Sequence, residues 1–365
     1  MTTGFPMRIT GVRTAMVEIP YKHWIIAPGV RTFGCVLVFV DTDEGITGES
    51  FLWSFGTRYV GMLNAMVLSL QPSVMGEDPQ YTERLWRKLW VESQFFGDRG
   101  VSVMGLSAID CAIWDARGKA AGKPIYKLLG ACRDEAPAYG CGLWLQETID
   151  ELVKEATGFV EEGYRAMKLR IGKPRLEEDI ERVRAVREAI GPDVKLMVDA
   201  NQCFTVDHAI KLGRKIEPYD ITWFEEPVPI NDFGATARVA AALDVPIANG
   251  ENIHTRYGFR QVLEMKAGDV LMPDLIHVGG VTEFVKVAHL AEAYEVPITP
   301  HIFPEESMHM VGAIPNATYV ENMPWFSLLY KEKVELRNGM VVLPQRPGFG
   351  FTFDPEVIER YQFRE

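Results

Sequence analysis

The chain has 365 residues, enough for two domains of ordinary size and too many for one small core. Its 38 basic and 50 acidic residues leave a net charge of -12 with no run of Lys or Arg, which argues against duplex nucleic acid or anionic membrane as partner. Hydrophobic residues at 47% and charged residues at 24% describe a globular chain, not a disordered one.

No signal peptide or membrane span is predicted. The longest apolar run near the start is Cys35 to Val40, and Met1 to Met7 lack a basic region followed by an apolar one. Cys35, Cys111, Cys132, Cys141 and Cys203 form no CxxC pair, so neither a disulfide framework nor structural zinc is expected, and the cytoplasm is the default compartment.

Arg8 to Ile19, Cys35 to Asp41 and Ile46 to Phe51 carry the β-branched and aromatic residues of strands, with a hairpin signal at Asp43-Glu44-Gly45. Helical spacing follows over Tyr59 to Val74, Thr82 to Val91 and Val101 to Ala121. Strands followed by helices predict an α+β domain. From Ala136 short apolar strands alternate with longer helices. The strands are Ala136 to Cys141, Ala166 to Ile171, Lys195 to Asp199, Thr222 to Glu225, Pro246 to Asn249, Val270 to Met272, Ile298 to Thr299 and Ala317 to Glu321. Such alternation predicts a parallel β/α barrel. A doubly wound open sheet competes, but the Gly-rich phosphate loop it normally carries after an early strand is missing. From Met323 the repeat stops, and this tail is expected to fold back across the first domain.

Catalytic groups in such barrels sit at the carboxyl ends of strands. The second strand closes on Lys168-Leu169-Arg170, whose alternation points both cations to one side. Asp199, Glu225 and Glu251 follow at the next three strand ends, each 26 residues from the last. Each acid alone could merely cap the following helix, but three on one rim repel unless a hard cation holds them, and Mg2+ suits oxygen ligands. Asp274 and His301 end the sixth and seventh strands, where the carboxylate can orient one imidazole nitrogen and raise the basicity of the other. Glu321 ends the eighth.

This ordered set resembles the mandelate racemase subgroup of the enolase superfamily, and Ile113-Trp114-Asp115, Gly118-Lys119 and Leu128-Leu129-Gly130 extend the resemblance over nearly the whole chain. The resemblance implies an α/β fold with an α+β capping domain over residues 1–130, a modified (β/α)7β TIM-like barrel over 131–325, and a C-terminal segment, 326–365, returning to the cap. It implies Mg2+ on Asp199, Glu225 and Glu251, chelating a substrate carboxylate. Lys168 would neutralise that carboxylate, Glu321 would donate a hydrogen bond to it, Asn201 would contact substrate, and His301 with Asp274 would be the acid/base. Relatives are commonly homo-oligomers, which the resemblance carries over.

One position departs from the family's Lys-x-Lys pattern. Where its second lysine is the base on the face opposite the histidine, this chain has Arg170, and a guanidinium seldom accepts a proton. Racemisation needs a base on each face; dehydration needs only one group that removes the α proton and helps expel the β-hydroxyl. The expected activity is therefore a Mg2+-dependent acid-sugar dehydratase giving a 2-keto-3-deoxy acid. The alternatives are a racemase or epimerase of a 2-hydroxy acid, with Arg170 acting as a base, and a non-catalytic ligand-binding relative. Specificity is expected in two lid loops, Tyr21 to Thr32 with His23, Trp24 and Arg31, and Leu52 to Tyr59 with Trp53 and Arg58. His23, Arg31 and Arg58 suit a polyhydroxylated acid, whereas Trp24, Ile25 and Ile26 suit an aromatic one.

Overall fold

The computed structural model describes residues 7–21 and 31–363. The first domain is an antiparallel sheet of β1 (Ile9–Pro20), β2 (Thr32–Thr42) and β3 (Thr47–Phe55), paired in that order. The Asp43-Glu44-Gly45 signal forms the turn between β2 and β3, with Thr42 N donating to Ile46 O at 3.0 Å. Helices α1 (Val60–Leu70), α2 (Thr82–Ser93) and α3 (Val101–Ala121) follow. α3 lies so close to the sheet that a Cβ at Gly48 would stand 1.9 Å from the Ala112 carbonyl oxygen, so only glycine fits there.

After the short α4 (Ile125–Leu128) the parallel barrel begins. Its strands are β4 (Glu135–Cys141), β5 (Ala166–Arg170), β6 (Lys195–Asp199), β7 (Ile221–Glu225), β8 (Ile247–Asn249) and β9 (Val270–Leu271), each hydrogen-bonded to the next. The seventh position is held by single bridges, Ile298 to Leu271 and Ala317, and His301 to Asp274. β10 (Val320–Asn322) then pairs in parallel with β4 and closes the ring. Between the strands run α5 (Ile149–Glu161), α6 (Leu176–Ile190), α7 (Val206–Ile216), α8 (Phe233–Ala240), α9 (Thr255–Met265), α10 (Leu275–Val278), α11 (Gly280–Ala293) and α12 (Pro304–Ala313).

The tail forms a hairpin of β11 (Glu335–Arg337) and β12 (Met340–Val342), which adds antiparallel to β4, and ends in α13 (Pro355–Tyr361). It also reaches the cap: Phe353 N donates to Glu49 Oε2 at 2.9 Å, and Gln362 bridges Val17 on β1. Among the described residues no helix is long and apolar enough to cross a membrane.

Candidate active site

Strand register assembles the site. β5, β6 and β7 pair so that Arg170 lies beside Asp199 and Asp199 beside Glu225. Glu251 follows β8 after Gly250, and ligand oxygens of Asp199, Glu225 and Glu251 all lie within 4.8 Å of one another. Three hard oxygen donors at this spacing suit Mg2+. Glu251 Oε2 is in addition a buried oxygen without a hydrogen bond, a lone pair of the kind a cation takes up. The residues present therefore fit the ion.

Two buried cations balance these acids. Lys168 Nζ stands 2.8 Å from Glu225 Oε1, 2.8 Å from Glu321 Oε1 and 3.6 Å from Asp199 Oδ2. Burial works against its charge, but Glu225 and Glu321 overcome that and hold the ammonium well above its ordinary pKa. Arg170 pairs with Asp199, reaches Asn201 Oδ1 and Cys141 Sγ, both at 3.4 Å, and lies 5.3 Å over the Trp144 ring. It also lines the cavity above the site. Asn201 donates from its backbone to Asp199 Oδ1 at 2.8 Å.

His301 Nδ1 is 2.7 Å from Asp274 Oδ2. Because a carboxylate only accepts, Nδ1 carries a proton, and Nε2, 3.3 Å from Glu251 Oε2, is the nitrogen that serves as base once the imidazole is neutral. Burial lowers the imidazole pKa, yet Glu251 and the Asp274 hydrogen bond outweigh it and raise the value to about 9. Burial also pushes the Glu321 carboxyl up, but Lys168, His301 and Arg170 hold it well below the usual range. Glu321 accepts a hydrogen bond from Ile302 N at 3.0 Å.

The chain turns away sharply after these groups. Asn201, Gln202, Glu226, Ile302 and Phe303 have φ of 43°, 65°, 38°, 33° and 51°, left-handed values that cost non-glycine residues about 1–3 kcal/mol each and concentrate at functional sites.

A cavity of about 410 Å³ opens above the site. It is lined by Arg170, Asn201, Glu251 and His301 of the barrel and by Trp53, Phe55 and Tyr59 from the cap, with Met323 and Trp325 after β10. The second lid loop thus contributes Trp53, while Arg58 stacks 5.3 Å over the Tyr59 ring. Arg31 O accepts from Tyr21 N at 2.9 Å. His23, Trp24, Ile25 and Ile26 lie outside the described residues.

Sequence reasoning passed over Gln202, Glu226, Asn252 and His277, which also line this cavity. Gln202 Nε2 and Asn252 Nδ2 donate to Glu226 at 2.9 and 3.3 Å, and Asn252 Nδ2 reaches Glu251 Oε1 at 3.0 Å. For three of them a signal was present: Gln202, Glu226 and Asn252 stand directly after Asn201, Glu225 and Glu251.

Residues 10–130 match the mandelate racemase / muconate lactonizing enzyme N-terminal domain, and residues 151–357 match the enolase C-terminal domain-like family. The chain is 34% identical to the arabinonate dehydratase of Saccharolobus solfataricus, over 88% of this chain and 89% of that one. It is 32% identical to the 3,6-anhydro-alpha-L-galactonate cycloisomerase of Streptomyces coelicolor, over 96% and 99%. The crystal structure of L-talarate dehydratase from Polaromonas sp. JS666 with Mg and L-glucarate superposes with a TM-score of 0.91 at 34% identity, covering 98% of each chain. Cap, barrel and rim carboxylates together are those of an enolase-superfamily protein. Within that superfamily the chain belongs to the mandelate racemase / muconate lactonizing enzyme family.

Proposed function

We propose that the chain is a Mg2+-dependent dehydratase of sugar acids, with Asp199, Glu225 and Glu251 as metal ligands and His301 as the proton-transfer group. The observation that carries this reading is the asymmetry of the site: one imidazole, backed at Nδ1 by the Asp274 carboxylate, and an arginine where a second base would stand. The similarity to an arabinonate dehydratase and to a talarate dehydratase that binds L-glucarate supports it.

Magnesium, when bound, supplies a Lewis acid that polarises the substrate carboxylate and so acidifies the adjacent carbon. His301 Nε2 takes the proton from that carbon, and Asp274 stabilises the imidazolium that results. The bond from the next carbon to its hydroxyl then breaks, His301 returns the proton to the departing oxygen, and water leaves. The enol left behind tautomerises to the 2-keto-3-deoxy acid. Lys168 and Arg170 meet the negative charge that develops on the carboxylate, in a site dry enough for that to matter. A substrate carboxylate arriving at Lys168 competes with Glu321 for it, which raises the Glu321 pKa and allows it to donate. Asn201 orients the substrate from beside Asp199.

The test is incubation of the Mg2+-loaded protein with five- and six-carbon aldonic and aldaric acids in deuterated water. A 2-keto-3-deoxy product is expected with at least one acid. Exchange and inversion at the α carbon with no keto product would replace this reading with the racemase one.

A further inference from the structure

His277 differs from the other polar residues of the cavity wall. Gln202, Glu226 and Asn252 satisfy one another, but His277 has only one of its two ring nitrogens engaged. Nδ1 lies 2.7 Å from the carbonyl oxygen of Glu251. A carbonyl only accepts, so Nδ1 carries the proton, and in the neutral ring Nε2 is left as a bare acceptor. Nε2 makes no hydrogen bond to a described residue, and it is not among the buried unpaired atoms, so it is open to the space that His277 lines.

The ring is held in place from two sides. Asp274 caps α10, its Oδ1 accepting from Ile276 N at 2.8 Å and His277 N at 3.3 Å, while its Oδ2 holds His301. One carboxylate therefore positions two imidazoles on the same rim: His301, whose Nε2 faces Glu251 Oε2 at 3.3 Å, and His277, whose Nε2 has no hydrogen bond to a described group. The His254 ring lies tilted beside that of His277, ring centres 5.6 Å apart, and its Nε2 accepts from Gly100 N at 2.9 Å.

We propose that His277 is a substrate-binding residue whose Nε2 accepts a hydrogen bond from a hydroxyl on the acid's carbon chain, beyond the two reacting carbons. The inference rests on the dehydratase reading and narrows its substrate class to polyhydroxylated acids longer than three carbons. A three-carbon hydroxy acid fills only a fraction of a 410 Å³ cavity. A longer chain lays its hydroxyls toward His277, Gln202 and Asn252 and its C–H faces against Trp53, Phe55 and Trp325, so both the polar and the apolar lining are used.

The test compares wild type with His277→Phe and His277→Gln, each full-length and Mg2+-loaded, on arabinonate, galactonate and the three-carbon acid glycerate. Steady-state kinetics and calorimetric titration are both read, with Mg2+ affinity measured separately. The expected result is an increase in KM and Kd of about tenfold for the longer acids in His277→Phe, the scale of one neutral hydrogen bond. That loss should exceed the effect on glycerate severalfold, with kcat less affected than KM and part of the loss restored in His277→Gln. Equal losses on long and short acids, or a fall in Mg2+ affinity large enough to explain both, would mean that His277 acts only through Glu251 and would overturn the proposal. If wild type binds the acids but dehydrates none of them, the dehydratase reading fails while the titrations still decide the role of His277. A wild type that binds none of the acids overturns the proposal as well.

Discussion

His301 is a base only when neutral, yet its surroundings hold it charged to about pH 9. After burial, the largest influence on it is the negative charge of Glu251, so neutralising Glu251 brings the imidazole back toward its working range. Activity through such a base rises as pH climbs through its pKa. Asp274→Asn removes a raising influence, so the acidic limb of kcat/KM should move to lower pH while the maximal rate falls. A pH profile of the variant checks this, and an unmoved limb would uncouple Asp274 from the proton transfer. His301→Asn should lose at least a thousandfold in kcat with Mg2+ binding retained, which turnover assays and a metal titration measure together. Lys168, Asp199, Glu225, Glu251, Asp274, His301 and Glu321 stand out in the sequence because each lies at or near the end of an expected barrel strand, and Asp199, Glu225 and Glu251 repeat every 26 residues. His277 does not, because its place at the site depends on which way a four-residue helix aims it.

At the level of elements, periodicity found long amphipathic segments and missed short or fully buried ones. α6 runs from Leu176 to Ile190 because one face is apolar and the other charged, and it belongs to the alternation of strands and longer helices that the sequence shows from Ala136. α12 escaped although Pro304 is a helix-start signal, since it is buried on every side and has no alternation to read. The seventh barrel strand shrinks to bridges because Pro297 and Pro300 flank it and lack the N–H that a ladder needs. Gly250 shows how tightly an element sets a functional group. At φ 145°, a Cβ there would meet Met272 N at 2.8 Å, on the turn that delivers Glu251. Gly250→Ala should therefore weaken Mg2+ affinity at least tenfold with far-UV circular dichroism nearly unchanged. Wild-type affinity in the variant would show that the turn relaxes without moving Glu251.

Over the whole molecule, cap and barrel are joined by a buried polar knot. Thr282 on α11 donates to Asp110 Oδ1 at 2.6 Å, accepts from Trp114 Nε1 at 2.8 Å, and gives its backbone N–H to Asp110 Oδ2 at 2.9 Å. Trp86 Nε1 adds a bond to Gly279 O at 2.8 Å. Thr282→Val keeps the shape but leaves the Trp114 donor without a partner and Asp110 with one bond fewer, a loss of about 1–3 kcal/mol for each group left unsatisfied. Thermal or denaturant unfolding should show a lower midpoint. An unchanged midpoint would mean that the knot orients the cap without stabilising it. The two-part architecture was visible in the switch of pattern near residue 130, but these contacts were not, because they join positions more than 160 residues apart.

The pairing of Gln362 and Phe363 with β1, through the Val17 bridge and a 3.0 Å bond from Phe363 N to Met16 O, ties a segment made after the barrel to a strand made before it. A nascent cap leaves the ribosome with the edge of β1 uncovered, and it stays uncovered until the barrel has been made. Such an edge is a template for pairing with another chain. Rapid translation or crowding of nascent chains thus endangers this protein at β1, well away from its chemistry.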